Sequence, residues 1–181
     1  MLSYEFAILD WIQANMRNPT LDLLMPAITA LGNSGLIWLL LAGILLLTPK
    51  HRRAGAAVLA GLVLEIICCN MVLKPLVARV RPCDVNTAVQ LLIARPDDFS
   101  FPSGHTGASF AAAAALFADR NRLWIPSLIL ALLIAFSRLY LYVHYPTDIL
   151  AGAAIGMMAG WAGRQAVDIL WKRKRRLGKA Q

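Results

Sequence analysis

The sequence predicts an all-α integral membrane bundle of about five transmembrane helices, preceded by an N-terminal helix lying in the bilayer interface. Three observations carry that expectation. Hydrophobic residues make up 59% of the 181-residue chain and charged residues only 15%, where soluble domains run near about 45–50% and about 25%. The apolar residues are gathered into runs of membrane length, and the mean hydropathy is +0.60. The net charge of +8 falls outside those runs, most densely at Lys172-Arg173-Lys174-Arg175-Arg176.

The elements follow in order. Within residues 1–20, Tyr4, Ile8, Trp11 and Ile12 share one helical face, with Asp10, Gln13 and Arg17 roughly opposite. That amphipathic pattern predicts an interfacial helix ending near Pro19. Spans are expected over 23–47, 55–73, 123–143 and 149–171, each near the roughly 20 residues a crossing helix needs. The run 103–118 is shorter and rich in Ala, Gly and Phe, which suits a helix buried among other helices. No repeat or low-complexity stretch interrupts the chain, so 1–181 reads as one membrane-embedded domain, with 172–181 as a basic tail.

Charge sets the expected orientation. Lys50, Arg52 and Arg53 follow the first span, Arg120 and Arg122 the third, and the basic tail the fifth. By the positive-inside rule these face the cytoplasm, leaving 74–102 and 138–148 on the outer side. A basic cluster directly after an apolar run reads as an anchor to anionic headgroups rather than a nucleic-acid patch. The expected partners are therefore the bilayer and a membrane lipid, with no nucleic acid. Cys68, Cys69 and Cys83 form neither a disulfide framework nor a zinc-type spacing. Cys68 has Lys74 where a cysteine phosphatase loop would carry arginine. No cofactor or metal is implied.

Three polar clusters sit at the outer ends of the spans: Lys74 with Arg81-Pro82, Pro102-Ser103-Gly104-His105, and Ser137-Arg138 with His144 and Asp148. A bundle brings them to one depth. Ser103 and Gly104 open a helix whose free amides and dipole attract an anion, and Gly104 lets phosphate oxygens approach the backbone. Arg81 and Arg138 can each grip phosphate with a bidentate fork, and Lys74 adds a point charge. A neutral His144 can attack phosphorus if Asp148 holds its other ring nitrogen, which requires a suitable turn through Tyr145-Pro146. His105 would protonate the departing oxygen and then activate water. A lone cation at a helix end commonly only snorkels, which is an even reading for Lys74 or Arg79 taken singly. The joint occurrence is what points to phosphoryl chemistry.

In this order the clusters resemble the type 2 phosphatidic acid phosphatase superfamily, which also includes vanadium haloperoxidases and glucose-6-phosphatase. The motifs match at every carried-over position between Lys74 and Asp148. The resemblance implies the same assignments: His144, His105 and Asp148 as catalytic residues, and Lys74, Arg81, Ser103, Gly104 and Arg138 as phosphate-binding residues. It implies a metal-independent lipid phosphatase working through phosphohistidine. Small five-span, bacterial-looking members are often similar to undecaprenyl diphosphate phosphatases, and the site expected from charge to face outward from the bacterial cytoplasmic membrane favours that substrate. Phosphatidylglycerol phosphate and phosphatidic acid are the alternative substrates. A non-catalytic lipid-phosphate binder or carrier is the reading from another class, and the His144–Asp148 pair argues against it.

Three features lie outside this set. Glu65 falls within a span and reads as structural rather than catalytic. Asn33 and Asn70 read as interhelical hydrogen-bonding groups. The segment between Pro82 and Phe101 carries an apolar patch at 87–93, followed by Arg95-Pro96-Asp97-Asp98. It reads equally as a lid on the bilayer surface or as a plain connection.

Overall fold

A computed structural model describes residues 2–177, so residues 178–181 of the expected tail lie outside the described residues. The chain forms α1 (Leu2–Met16), α2 (Pro19–Leu31), α3 (Leu36–Leu47), α4 (Arg52–Glu65), α5 (Lys74–Val77), α6 (Pro82–Val85), α7 (Gly104–Ala118), α8 (Trp124–Tyr140) and α9 (Pro146–Leu177). Ile66–Leu73 continues α4 into α5 as a π-helix. The resulting stretch Pro49–Val85 is long and apolar enough to cross a bilayer by itself. No strand occurs among the described residues.

Several boundaries differ from expectation for identifiable reasons. The apolar run 23–47 is not one straight span: α2 and α3 meet at a bend of 46°. Gly32-Asn33-Ser34-Gly35 makes that break, with Ser34 at φ 53° and Gly35 at φ 66°, the left-handed region that ends a helix. Pro19 opens α2 instead of closing α1, because Asn18 caps the helix by accepting from the Leu21 amide at 3.0 Å. On α1 the inward face is Glu5, Leu9 and Ile12, while Tyr4, Ile8 and Trp11 are exposed. Ile12 therefore lies with the polar Glu5 rather than with Trp11. The last helix begins three residues early, at Pro146, and runs through Lys172 and Arg173.

The short run at 103–118 does become the buried centre. Ala111, Ala112, Ala115 and Leu116 of α7 are fully enclosed. Gly152, Gly156 and Gly160 of α9 recur every four residues and press on the same face. A Cβ on Gly156 would stand 2.2 Å from the Gly107 carbonyl oxygen, so only glycine permits this backbone contact.

The antiparallel order sorts the connections between two ends. At one end, the α3–α4 and α7–α8 turns meet the end of α9. There Asn121 bonds His51 at 3.3 Å, Arg164 pairs with Asp119 at 2.9 Å, and Arg53 pairs with Asp168. The other end gathers α5, the start of α7, the end of α8 and the start of α9. α1 lies across it: the Gln13 amide donates to the Tyr140 carbonyl at 2.8 Å, and Tyr142 donates to Asp10 at 2.6 Å. Leu9 and Ile12 pack there against Tyr140–Val143 and Tyr145.

Candidate active site

The chain between α8 and α9 fixes the central histidine. Tyr142 takes φ 59°, which turns 141–145 back over the end of α8, and the Val143 amide bonds the Arg138 carbonyl at 3.2 Å. His144 then hangs fully buried above α9. Pro146 starts α9, so Asp148 lies in its first turn, where helix amides favour an anion. The Asp148 carboxylate is completely enclosed. It accepts from Ser100 Oγ at 2.5 Å, the Tyr145 amide at 2.9 Å and Arg79 at 2.6 Å, and lies 3.4 Å from His144 Nδ1.

The other face of the imidazole meets Arg81. Its Nη1 is 3.1 Å from His144 Nε2, while also donating to the Val143 carbonyl at 2.7 Å. A guanidinium can only donate, so Nε2 is the acceptor and Nδ1 carries the proton toward Asp148. Burial, together with the Arg138 and Arg81 charges, outweighs the Asp148 bond and lowers the His144 pKa to about 3. The ring is thus neutral at physiological pH, with its Nε2 lone pair accepting from Arg81 at the cavity border.

That cavity, of about 370 Å³, is bordered by Lys74, Arg81, Gly104, His105, Arg138 and His144, among others. The three distant clusters therefore converge on one space. Arg138 is 4% exposed; its Nη1 donates to Thr29 at 2.7 Å, and its Nε has no partner among the described residues. Lys74 and Arg81 both form ion pairs with Asp98, whose backbone carbonyl also accepts from Arg81 at 2.8 Å. Burial raises the Asp98 pKa, but the two cations outweigh it and hold the carboxyl at about 2.

Ser103 stands apart from the other expected phosphate ligands. Its hydroxyl caps α7, accepting from the Thr106 amide at 3.4 Å, and it is not among the residues bordering the cavity. Gly104 does border it.

Sequence reasoning missed the supporting roles of Arg79, Ser100 and Asp98. Arg79 does not snorkel: it bonds Asp148 and Thr147, pairs with Glu5 of α1, and stacks 3.8 Å over the Tyr145 ring. Ser100 and Asp98 lie just before Pro102 and were legible only as loop residues. Asn33 does bond another helix as expected, accepting from His105 Nε2 of α7 at 2.9 Å; the catalytic partner is what sequence left unnamed. The turn residues around it were the available signal. Within 83–101, Leu91, Leu92 and Ile93 pack on the Tyr140–Val143 cluster, and Ile93 to Pro96 border the cavity. The segment thus contributes to the wall of the site as well as joining two helices.

Comparison with known proteins agrees with this geometry. The model of the PAP2 superfamily matches residues 54–172, which include every element bordering the cavity except α2 and its turn. The chain belongs to the PAP2 superfamily. It is 34% identical to an undecaprenyl-diphosphatase of Bacillus subtilis, covering 84% of this chain and 78% of that one. An undecaprenyl-diphosphatase of Sulfolobus acidocaldarius is 32% identical over 74% of this chain, which spans 63% of that relative's length. Among solved structures, a transmembrane PAP2-type phosphatidylglycerolphosphate phosphatase of Bacillus subtilis superposes with a TM-score of 0.73 at 26% identity, covering 92% of this chain and 85% of that one. An all-α membrane bundle and a lipid phosphatase of this family agree with these likenesses, which do not settle the lipid.

Proposed function

We propose that this PAP2 protein removes phosphate from a polyprenyl diphosphate, undecaprenyl diphosphate above all, through a phosphohistidine on His144. The observation that carries the chemistry is the neutral His144 held between Asp148 and Arg81, with Nε2 toward an enclosed cluster of cations.

In the first step Arg81 turns its donor from Nε2 to the phosphate oxygens, and the freed Nε2 lone pair forms a bond to phosphorus while the bond to the leaving oxygen breaks. Asp148 accepts the hydrogen bond from Nδ1 and stabilises the cationic ring that results. Arg81, Arg138 and Lys74 neutralise the equatorial oxygens, and the α7 amides at Gly104 add partial positive charge. Arg138 Nε supplies a donor that needs a partner. The Asp98 carboxylate occupies Lys74 and Arg81 meanwhile, so phosphate takes its place on them. His105, as the imidazolium that the bound diphosphate's negative charge favours, gives its Nε2 proton to the leaving oxygen in place of the hydrogen bond now made to Asn33, and is left as a neutral ring. It then removes a proton from the water that attacks the phosphohistidine. Ser103 contributes by capping the helix that presents Gly104 and His105.

The polyprenyl assignment draws on the two relatives named undecaprenyl-diphosphatase. Phosphatidylglycerol phosphate is the second reading, favoured by the name of the solved structure. The basic ends of α4, α8 and α9 cluster at the end opposite the site, and we place them in the bacterial cytoplasm. The site then opens outside the cytoplasmic membrane, with α1 on its outer surface. The whole chain acts as one unit, since α1 is tied to Asp148 through Glu5 and Arg79.

Purified protein in detergent, with metal chelated, should release orthophosphate from undecaprenyl diphosphate with the highest kcat/KM in a panel that includes phosphatidylglycerol phosphate and phosphatidic acid. Preference for a glycerolipid phosphate would replace the polyprenyl assignment. Binding without release from any of them would make the protein a lipid-phosphate binder.

A further inference from the structure

A second cavity of about 760 Å³ lies beside the first, and Lys74, Asp98, Gly104 and His105 border both. His144, Arg81 and Arg138 border only the first. The second is walled largely by hydrocarbon, including Leu39 of α3, Leu62 of α4 and Ile66 of the π-helix. Leu39 and Ile66 are exposed at the bundle surface, so its mouth opens sideways between α3 and the π-helix.

One wall group does not suit hydrocarbon. Glu65 is 1% exposed, and its Oε1 has no hydrogen-bond partner among the described residues. Gly107 makes room for it, since a Cβ there would stand 2.3 Å from that oxygen. Asn70 borders the same space from the π-helix, a feature that often marks a functional position. An in-line displacement places the leaving group across phosphorus from the nucleophile. With His144 bordering the first cavity and His105 on the shared border, the leaving group belongs in the second.

We infer that this second cavity is the leaving-group subsite, taking a polyprenyl phosphate whose chain runs out between α3 and the π-helix and whose phosphate meets Lys74, Asn70 and Glu65. The inference rests on the phosphatase reading above. As a carboxylic acid, Glu65 donates a hydrogen bond to a phosphate oxygen; an ionised carboxylate would repel it. Glutamine can supply the same donor, whereas leucine cannot.

The test compares kcat/KM for undecaprenyl diphosphate and for phosphatidylglycerol phosphate with that for p-nitrophenyl phosphate, which has no lipid chain, in wild type, Glu65→Leu, Glu65→Gln and Leu39→Trp. The ratio of lipid to short substrate should fall by about ten-fold or more in Glu65→Leu and Leu39→Trp, and stay within about three-fold in Glu65→Gln. An unchanged ratio, or both substrates falling together, would overturn the subsite. So would a fall confined to phosphatidylglycerol phosphate, which would assign the cavity to a glycerol-linked leaving group. Wild-type protein photolabelled with a diazirine-bearing polyprenyl phosphate gives a readout independent of variant folding. Labels in 36–47 and 66–75 support the subsite, and labels confined elsewhere, such as a separate apolar groove lined by Phe117, Trp124 and Trp161, contradict it. Failure of the wild type to release phosphate from any lipid would instead sink the phosphatase reading, leaving the labelling pattern to report on the cavity.

Discussion

The two ends of the bundle use charge in opposite ways. At the basic end, Arg53 and Arg164 share Asp168, and Arg164 also reaches Asp119, so anions already stand beside these cations. At the other end the cations converge on an open cavity, where Lys74 and Arg81 share Asp98 but the buried Arg138 has the Thr29 hydroxyl and no carboxylate partner among the described residues. A buried guanidinium costs free energy that folding alone does not repay. Its retention makes sense if a ligand completes it, whereas pairs like those at the basic end are worth little beyond geometry.

Substitutions at each end should separate these roles. His144→Ala should reduce kcat by roughly 10³-fold or more while leaving a folded protein, measured as orthophosphate release. Arg138→Ala should cost on the order of 10²-fold in kcat/KM, the usual effect of removing a transition-state donor. Arginine paired only structurally would lose stability and keep its turnover. Asp98→Asn should tighten inhibition by orthophosphate by roughly three- to ten-fold, because the internal competitor for Lys74 and Arg81 loses its charge. Weaker inhibition would make Asp98 a positioning residue instead. Arg53→Ala at the basic end should leave kcat/KM within about two-fold and cost no more than about 1 kcal/mol of stability.

Titration sharpens the same contrast. Burial and neighbouring arginines penalise the protonated form of His144, so its pKa falls below the ordinary histidine value to about 3. The ring should stay neutral as pH drops from 8 to about 5, and only stronger acid should charge it. Ring-nitrogen resonances of labelled protein would show this directly, and a midpoint near about 6.5 would contradict the buried, neutral nucleophile.

Most of the site was legible because its residues are polar in an apolar sequence. Lys74, Arg81, His105, Arg138, His144 and Asp148 could be read from their residue chemistry and the ordered motifs that resemble the family, and the structure brings them to one region. The break at Gly32–Gly35 was harder to see, since hydrophobicity summed over 23–47 hides four turn residues within a long apolar run. With it went the placement of Asn33 against His105. Arg79 was ambiguous because snorkelling and ion pairing look alike in sequence; only the fold brings Glu5 from α1 beside it. The α1 face was misjudged for a related reason. Glu5 counts as a solvent-facing residue until Arg79 and Thr147 arrive to bond it. Ser103 illustrates the converse, a motif residue whose hydroxyl is already used by the helix it caps.

The most direct test is rapid-quench labelling with undecaprenyl diphosphate carrying a radioactive terminal phosphate, on the wild type and on His105→Ala. The account predicts an acid-labile, base-stable phosphoryl group on the peptide containing His144, longer-lived when His105 is absent to activate water. Continued hydrolysis with no such label, or a label on any other residue, would contradict it.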